Sequence, residues 1–270
     1  MQTIHQAIKQ QNSFMAGLYL AEHFQSDIDI GRHIVQIEEF IHGASAAVQK
    51  ASSTEAKVQQ YLDYFYTELA FSGDENQAFS PNYNFVDKVV DYRTGIPMTL
   101  AVLLCQVGNA AGLRMREVAF PGHYLVRVEV AQGRYWFIDP VDGKHLDWHQ
   151  LLALYRSMTG HDEAENVPSE ALIPVECENT VVRMLHNIKG AFINNKQYQE
   201  ALECTELLLE LCPDDPYERR DRGFLLHQLD CPHLALADYH YFIKHCPQDP
   251  ITDLLKIQIS TMGQCDMIWH

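Results

Sequence analysis

Apolar residues recur at helical spacing through the first 70 positions of the chain. Four isoleucines follow one another at intervals of four, three and four residues: Ile30, Ile34, Ile37 and Ile41. A second apolar stripe runs from Val58 to Leu69 and begins after Ser53, a residue type that caps helix N-termini. These intervals place apolar side chains on one face of a helix. The pattern predicts helices over residues 1–72, and the composition of residues 72–84 predicts a loop after them.

The next segment, 95-GIPMTLAVLLCQVGNAAGL-113, is apolar on almost every side. Pro97 suits the first turn of a helix, where a backbone N–H has no intrahelical partner to lose. Gly112 suits the end of the same helix. We therefore expect a helix that is buried all round.

Alternation with a period of two follows over residues 117–130, which indicates a strand. The turn-forming 131-AQGR-134 then leads into a second short strand, 135-YWFID-139. If the turn centres on residue 131 or 132, His123 lies opposite Asp139 or one diagonal step from it. Such side chains are about 5 Å or about 7–8 Å apart at Cβ. We therefore expect the hairpin alone to bring this His and this Asp within reach of each other.

The last third of the chain carries a repeat. The segments 211-LCPDDP-216 and 245-HCPQDP-250 match at Cys, Asp and both Pro, and their offset of 34 residues is the length of a tetratricopeptide repeat. Gly223 occupies the small-residue position of one unit, and Lys189 stands at that position in the preceding unit. Each unit is predicted to form two helices, with a capping helix over residues 251–263.

These patterns predict an α+β domain followed by an all-α repeat region. The first domain is placed at residues 1–160, with a helical part at 1–72 and a core at 80–158. A linker is expected at 161–177, and the repeats at 178–270.

Composition narrows the class of partner. The chain has 20 Lys and Arg against 36 Asp and Glu, a formal net charge of -16, so a nucleic-acid duplex or an anionic membrane would be repelled on average. Seven cysteines, an odd number in a chain of 270 residues, predict free thiols in a reducing compartment. The polar opening MQTIHQAIKQQ lacks the apolar core of a signal peptide. We expect a cytoplasmic protein that binds neither nucleic acid nor membranes directly.

Three segments in this order, 95-GIPMTLAVL-103, 119-AFPGHYLVR-127 and 137-FIDPVDG-143, resemble the SirB-type family. Its members combine a transglutaminase-like domain with tetratricopeptide repeats, and the resemblance covers nearly the whole chain. It implies a papain-like first domain, in which a central helix packs on an antiparallel sheet. It also implies a regulatory role in a family that is largely uncharacterised.

Active transglutaminase-like enzymes use Cys, His and Asp. The resemblance places His123 at the His position and Asp139 at the Asp position, whereas the nucleophile position falls at about Pro97. Two other residues could supply a nucleophile. Cys105 lies about 12 Å further along the helix, where a thiol is usually inert packing. Thr99 is nearer the helix start, although Thr in a first turn commonly serves backbone hydrogen bonds.

We therefore favour a structural pair that locks the register of the hairpin, and a non-catalytic protein. A relic pocket, or an amide hydrolase or acyl transferase that uses His123, Asp139 and Thr99, is the alternative. Arg183 and Arg220 lie at repeat positions that point into a tetratricopeptide groove, where they could bind the carboxylates of a protein or peptide partner. Pairing of these arginines within the chain is the competing interpretation. No cofactor and no metal site are predicted.

Overall fold

The computed structural model describes residues 2–74 and 79–265. Contacts divide the chain into two compact units, Met1–Met184 and Leu185–His270. The first unit is α+β and the second is all-α. The fold class predicted from the sequence is therefore confirmed.

The first unit begins with helices. These are α1 (Gln2–Lys9), α2 (Ser13–Phe24), α3 (Ile30–Val48) and α4 (Thr54–Asp63). Ser53 caps α4 as expected, because its side chain accepts a hydrogen bond from the backbone N–H of Ala56. The chain then widens into a π-helical turn, Tyr64–Glu68, in which each N–H reaches one residue further back than in an α-helix.

A short parallel pair comes next, β1 (Ser72–Gly73) with β2 (Thr94–Gly95). Between these strands lie a 3₁₀ turn, Pro81–Tyr83, and α5 (Val86–Tyr92). The central helix α6 (Pro97–Ala110) is buried on almost all sides, from Met98 to Cys105 and at Val107 and Gly108. The prediction for this helix is confirmed, including Pro97 in its first turn.

The main sheet has four antiparallel strands in chain order. They are β3 (Met115–Val118), β4 (Leu125–Ala131), β5 (Arg134–Ile138) and β6 (His145–Leu146). Residues 117–130 are therefore not one strand, and that prediction is wrong. The chain turns between β3 and β4 because Pro121 and Gly122 interrupt it, with Gly122 at φ +70°.

The two faces of the sheet pack on different partners. Val126, Val128 and Ile138 alternate with residues of the opposite face and are fully buried on the side of α6. Phe137 and Leu125 lie in a second apolar cluster with Leu151 of α7 (Trp148–Thr159). Val167 and Leu172, within the predicted linker, are buried in the same cluster. The domain boundaries stay a prediction.

The repeat prediction is confirmed by five helices. They are α8 (Cys177–Asn194), α9 (Tyr198–Leu211), α10 (Pro216–Gln228), α11 (Pro232–His245) and α12 (Ile251–Cys265). The offset between α9 and α11 is 34 residues at both ends. Gly223 is the small residue that the repeat requires, because a Cβ there would lie 2.6 Å from Cε1 of Tyr239.

Candidate functional site

His123 and Asp139 form a hydrogen-bonded pair at the end of the β4–β5 hairpin. Nε2 of His123 lies 3.2 Å from each carboxylate oxygen of Asp139. The pairing of β4 with β5 runs in the register Val126↔Ile138, one of the two that the sequence predicted. The imidazole is 3% exposed and the carboxylate 20%, so the pair is turned inward.

The turn that carries Asp139 is held from two sides. Oδ1 of Asp139 also accepts the backbone N–H of Val141 at 2.9 Å. Tyr66, from the π-helical turn, donates its hydroxyl to the carbonyl of Pro140 at 2.9 Å. Burial, and then the charges of Asp139 and Asp142, raise the pKa of Tyr66 well above its ordinary value. Tyr66 therefore remains a donor and fixes the position of this turn.

The start of α6 provides no thiol. Pro97 occupies its first turn, and the hydroxyl of the fully buried Thr99 donates to the carbonyls of Ile96 at 3.1 Å and Tyr83 at 3.2 Å. Cys105 is 5% exposed, and burial followed by the charge of Glu117 raises the pKa of its thiol well above the ordinary value. A thiol in that state is a weak nucleophile.

The arginines predicted for the groove differ in their surroundings. Arg220 donates from Nε and Nη2 to Oδ1 of its neighbour Asp221, at 3.0 and 2.7 Å. Its guanidinium also lies 5.3 Å from the ring centre of Tyr217 and 5.5 Å from that of Phe242. Arg183 belongs to the first unit and is exposed. Arg220 thus has an internal partner, which agrees with the competing interpretation, yet it stays partly open to solvent.

Sequence reasoning missed the large apolar side chains that are exposed on α10 and α12, among them Tyr217 (46%), Phe224 (42%), Ile251 (38%) and Leu254 (66%). We call these four residues, together with Arg220, the first-helix face. The 34-residue offset relates Tyr217 to Ile251 and Arg220 to Leu254, so the signal was present in the repeat. The hydroxyl of Tyr217 donates to Asp249 at 3.3 Å, which ties α10 to the start of α12.

Lys189 explains how one repeat unit tolerates a long side chain at a small-residue position. Its ammonium is 7% exposed and donates to both carboxylate oxygens of Glu218 and to Asp221, each at 2.8 Å. Carboxylates of α10 therefore compensate the buried charge of Lys189. Through these ion pairs Lys189 links α8 to α10, the first helix of the next repeat.

Across the described part of the chain, no group of three or more His, Cys, Asp and Glu side chains is arranged to hold a metal ion. Within the same residues, the helices are too short or too polar to cross a membrane.

A central helix on an antiparallel sheet, with a His–Asp pair at the sheet end, defines a transglutaminase-like domain. The family model for the transglutaminase-like superfamily matches residues 32–186, and the chain belongs to that family. A second model, for the tetratricopeptide repeat, matches residues 188–260.

Curated relatives match most of the length of the chain. The chain is 34% identical to a UPF0162 protein of Vibrio cholerae over 230 residues, which cover 85% of this chain and 84% of the relative. It is 29% identical to Protein SirB1 of Salmonella typhimurium, with 87% of each chain covered. It is 28% identical to the UPF0162 protein YchA of Escherichia coli K12, again with 87% of each covered. The SirB-type resemblance is thereby confirmed. No solved structure matches the chain.

Proposed function

We propose that this protein is a non-catalytic interaction or regulatory protein, and that the first-helix face binds a protein or peptide partner. One observation carries the proposal, namely the exposure of four large apolar side chains on α10 and α12, of which Tyr217 and Ile251 are related by the 34-residue offset. An apolar surface rimmed by polar residues is typical of a protein-binding site. Tetratricopeptide units commonly present such a surface to an extended or helical segment.

The residues of this face indicate what the partner carries. Tyr217, Phe224 and Leu254 would contact apolar side chains, and Arg220 would donate to a carboxylate from the nitrogen that Asp221 leaves open. Arg183, in the first unit, stays a separate candidate binding residue. The acidic chain favours action through another protein over direct binding of nucleic acid, so we propose a regulator that acts through this partner. The free cysteines favour the cytoplasm as its location.

The experiment is affinity capture from extract with matched variants of the full chain. Leu254→Asp places a charge on the first-helix face, and Leu234→Asp places the same charge on α11 at a similar exposure of 63%. We expect the wild type and Leu234→Asp to retain the same partner and Leu254→Asp to lose it. A paired Arg183→Ala, Arg220→Ala variant should retain less of it. Equal loss with both Asp variants would contradict the proposal.

The same capture includes His123→Ala. Under this proposal the variant keeps the partner, because the His123–Asp139 pair is structural. If a folded His123→Ala protein loses the partner while Leu254→Asp keeps it, the function belongs to the first unit.

A second candidate is amide hydrolysis or acyl transfer. The hydrogen bond between His123 and Asp139 favours it, since that arrangement orients an imidazole as a general base. Pro97 and the engaged hydroxyl of Thr99 count against it. Hydrolysis of p-nitrophenyl acetate by wild type, Thr99→Val and His123→Ala distinguishes the two. We expect equal rates, and a loss in both variants would support the enzyme.

A further inference from the structure

Glu117 is a carboxylate on the apolar side of the main sheet. In β3 it lies opposite Val126 of β4, which pairs with Ile138 of β5. The side chains of Val126 and Ile138 are fully buried. Directly opposed residues point to the same face of a sheet, so Glu117 is on the side of α6. A charged group on that side breaks the alternation of the strand, and such departures are often found at functional sites.

A cavity of about 200 Å³ lies beside this carboxylate within the first unit. Its walls include Ser13, Cys105, Met115, Glu117 and Cys177. Both thiols are buried, at 5% exposure for Cys105 and 3% for Cys177. At about 30 Å³ for each water in the liquid, the volume accommodates a molecule of a few heavy atoms.

One oxygen of Glu117 is already occupied. Oε2 accepts the hydroxyl of Thr180 at 2.6 Å and that of Ser13 at 3.0 Å. Because Thr180 donates to Glu117, the hydroxyl of Tyr124 donates in turn to Oγ1 of Thr180 at 3.0 Å. Oε1 has no hydrogen-bond partner among the residues that the structure describes. The protein thus fixes the carboxylate through one oxygen and leaves the other available.

Glu117 forms no ion pair or hydrogen bond with a cation among the residues that the structure describes. Arg116 and Glu176 also line the cavity, and they pair with each other, since Nη2 of Arg116 lies 3.1 Å from Oε1 of Glu176. Burial raises the pKa of Glu117, while the bonds from Thr180 and Ser13 and the charge of Arg116 oppose that rise. An anion would be repelled here, and the described residues do not converge as metal ligands.

We propose that this cavity binds a small primary ammonium ion, which donates an N–H to Oε1 of Glu117 and rests its alkyl chain on Met115 and the two thiols. An ammonium ion supplies the positive partner that the Glu117 carboxylate lacks, and it donates a charge-assisted hydrogen bond to Oε1. The chemical class is a short alkylamine in its protonated form. The proposal concerns the first unit and does not depend on the first-helix face.

The test titrates the full chain with n-propylammonium chloride at constant ionic strength and follows binding by NMR chemical shifts. Propionate and 1-propanol are the comparison probes, because they keep the size and change the charge. We expect saturable binding of n-propylammonium, at least about tenfold tighter than that of 1-propanol, as a charge-assisted hydrogen bond implies. No saturation, or equal binding of 1-propanol, would overturn the proposal.

Two variants locate the site. Glu117→Gln removes the charge and keeps an oxygen for Ser13 and Thr180, and we expect it to weaken n-propylammonium binding about tenfold or more. Glu178→Gln makes the same change of charge at an exposed residue outside the cavity walls and should leave binding within about twofold, because solvent screens an exposed charge. Equal weakening by both variants would contradict a site at Glu117. The comparison of probes on the unaltered chain decides the matter even if Glu117→Gln fails to fold.

Discussion

Asp139 and His123 are separated by sixteen positions in the sequence, and the imidazole Nε2 of His123 lies 3.2 Å from both oxygens of the Asp139 carboxylate. The same carboxylate accepts the backbone N–H of Val141. One side chain therefore joins the loop before β4 to the turn after β5. In this arrangement Asp139 has a structural task whether or not a substrate is ever bound.

The first prediction concerns this task. Asp139→Ala should lower the free energy of unfolding by about 1–3 kcal/mol, because it leaves the His123 nitrogen and the Val141 N–H without their acceptor. Asp139→Asn keeps an acceptor oxygen for both and should cost less. Urea unfolding followed by circular dichroism measures the two differences. An equal loss in both variants would show that the charge of Asp139, and not its hydrogen bonding, supports the hairpin.

The second prediction concerns the buried ammonium of Lys189. Lys189→Met leaves Glu218 and Asp221 without their shared partner, and the free energy of unfolding should fall by about 3–5 kcal/mol. The double variant Lys189→Met, Glu218→Leu removes one of the stranded carboxylates and should recover part of the loss. Thermal unfolding of the three proteins gives the comparison. No recovery would mean that packing of the lysine stem matters more than its charge.

This cluster also predicts a dependence on pH. Burial opposes ionisation of Glu218 and Asp221, but their hydrogen bonds and the charge of Lys189 outweigh it and lower the pKa of both. Their contribution to stability is therefore complete above their ordinary values of 4.5 and 3.8, and is lost as the pH falls through the lowered values. The unfolding midpoint of the wild type should drop in that acid range, and that of Lys189→Met should drop less.

For Glu117 we expect the dependence of folding stability on pH to have the opposite sign. Its pKa is raised by burial, so the folded protein holds the proton more tightly than the unfolded chain does. Its contribution is favourable below the ordinary value of 4.5 and is lost as the pH rises through the raised value. Glu117→Gln should therefore raise the urea midpoint at pH 7, and the gain should shrink towards pH 4. A gain that stays constant over this range would exclude ionisation as its cause.

Two glycines of the repeat region form a matched pair. A Cβ on Gly223 would lie 2.6 Å from the ring of Tyr239, whereas a Cβ on Gly190 would meet nothing within 4 Å. Gly223→Ala should destabilise the protein by about 1–3 kcal/mol through overpacking. Gly190→Ala should stabilise it by about 0.5–1 kcal/mol, because glycine costs backbone entropy in a helix. Melting temperatures measured side by side would reveal opposite shifts, and shifts of the same sign would contradict the close approach at Gly223.

Much of the fold could be predicted because several signals agreed at the same positions. Pro97 and Gly112 bracket a segment without a polar side, so helix α6 had one plausible extent and one environment. Gly133 at φ +72° sets the hairpin turn, and the alternation of apolar residues then allowed only two registers. The repeat offset alone located the helices of the second unit.

Other features left no local signal. Gln11 follows the first helix with a φ of +53°, a left-handed conformation that glutamine rarely adopts and that the sequence therefore did not predict. Glu117 looks like an exposed residue of an alternating strand, and only the pairing of β3 with β4 shows that it faces the central helix. Its partners Ser13 and Thr180 are more than sixty positions away in the sequence, so no spacing rule could connect them.

The π-helical turn makes the first unit sensitive to chain length at one place. Tyr64 packs its hydroxyl against the position of Gly43, and Tyr66 bonds to the carbonyl of Pro140. A π-helical turn holds about one residue more than an α-helical turn, so deleting one residue from Tyr64–Glu68 would restore ordinary helical winding with little rotation of the chain that follows. The residues inside the turn would change their directions, so Tyr64 and Tyr66 could not both keep their contacts. An insertion or deletion here would therefore be tolerated far less than a substitution.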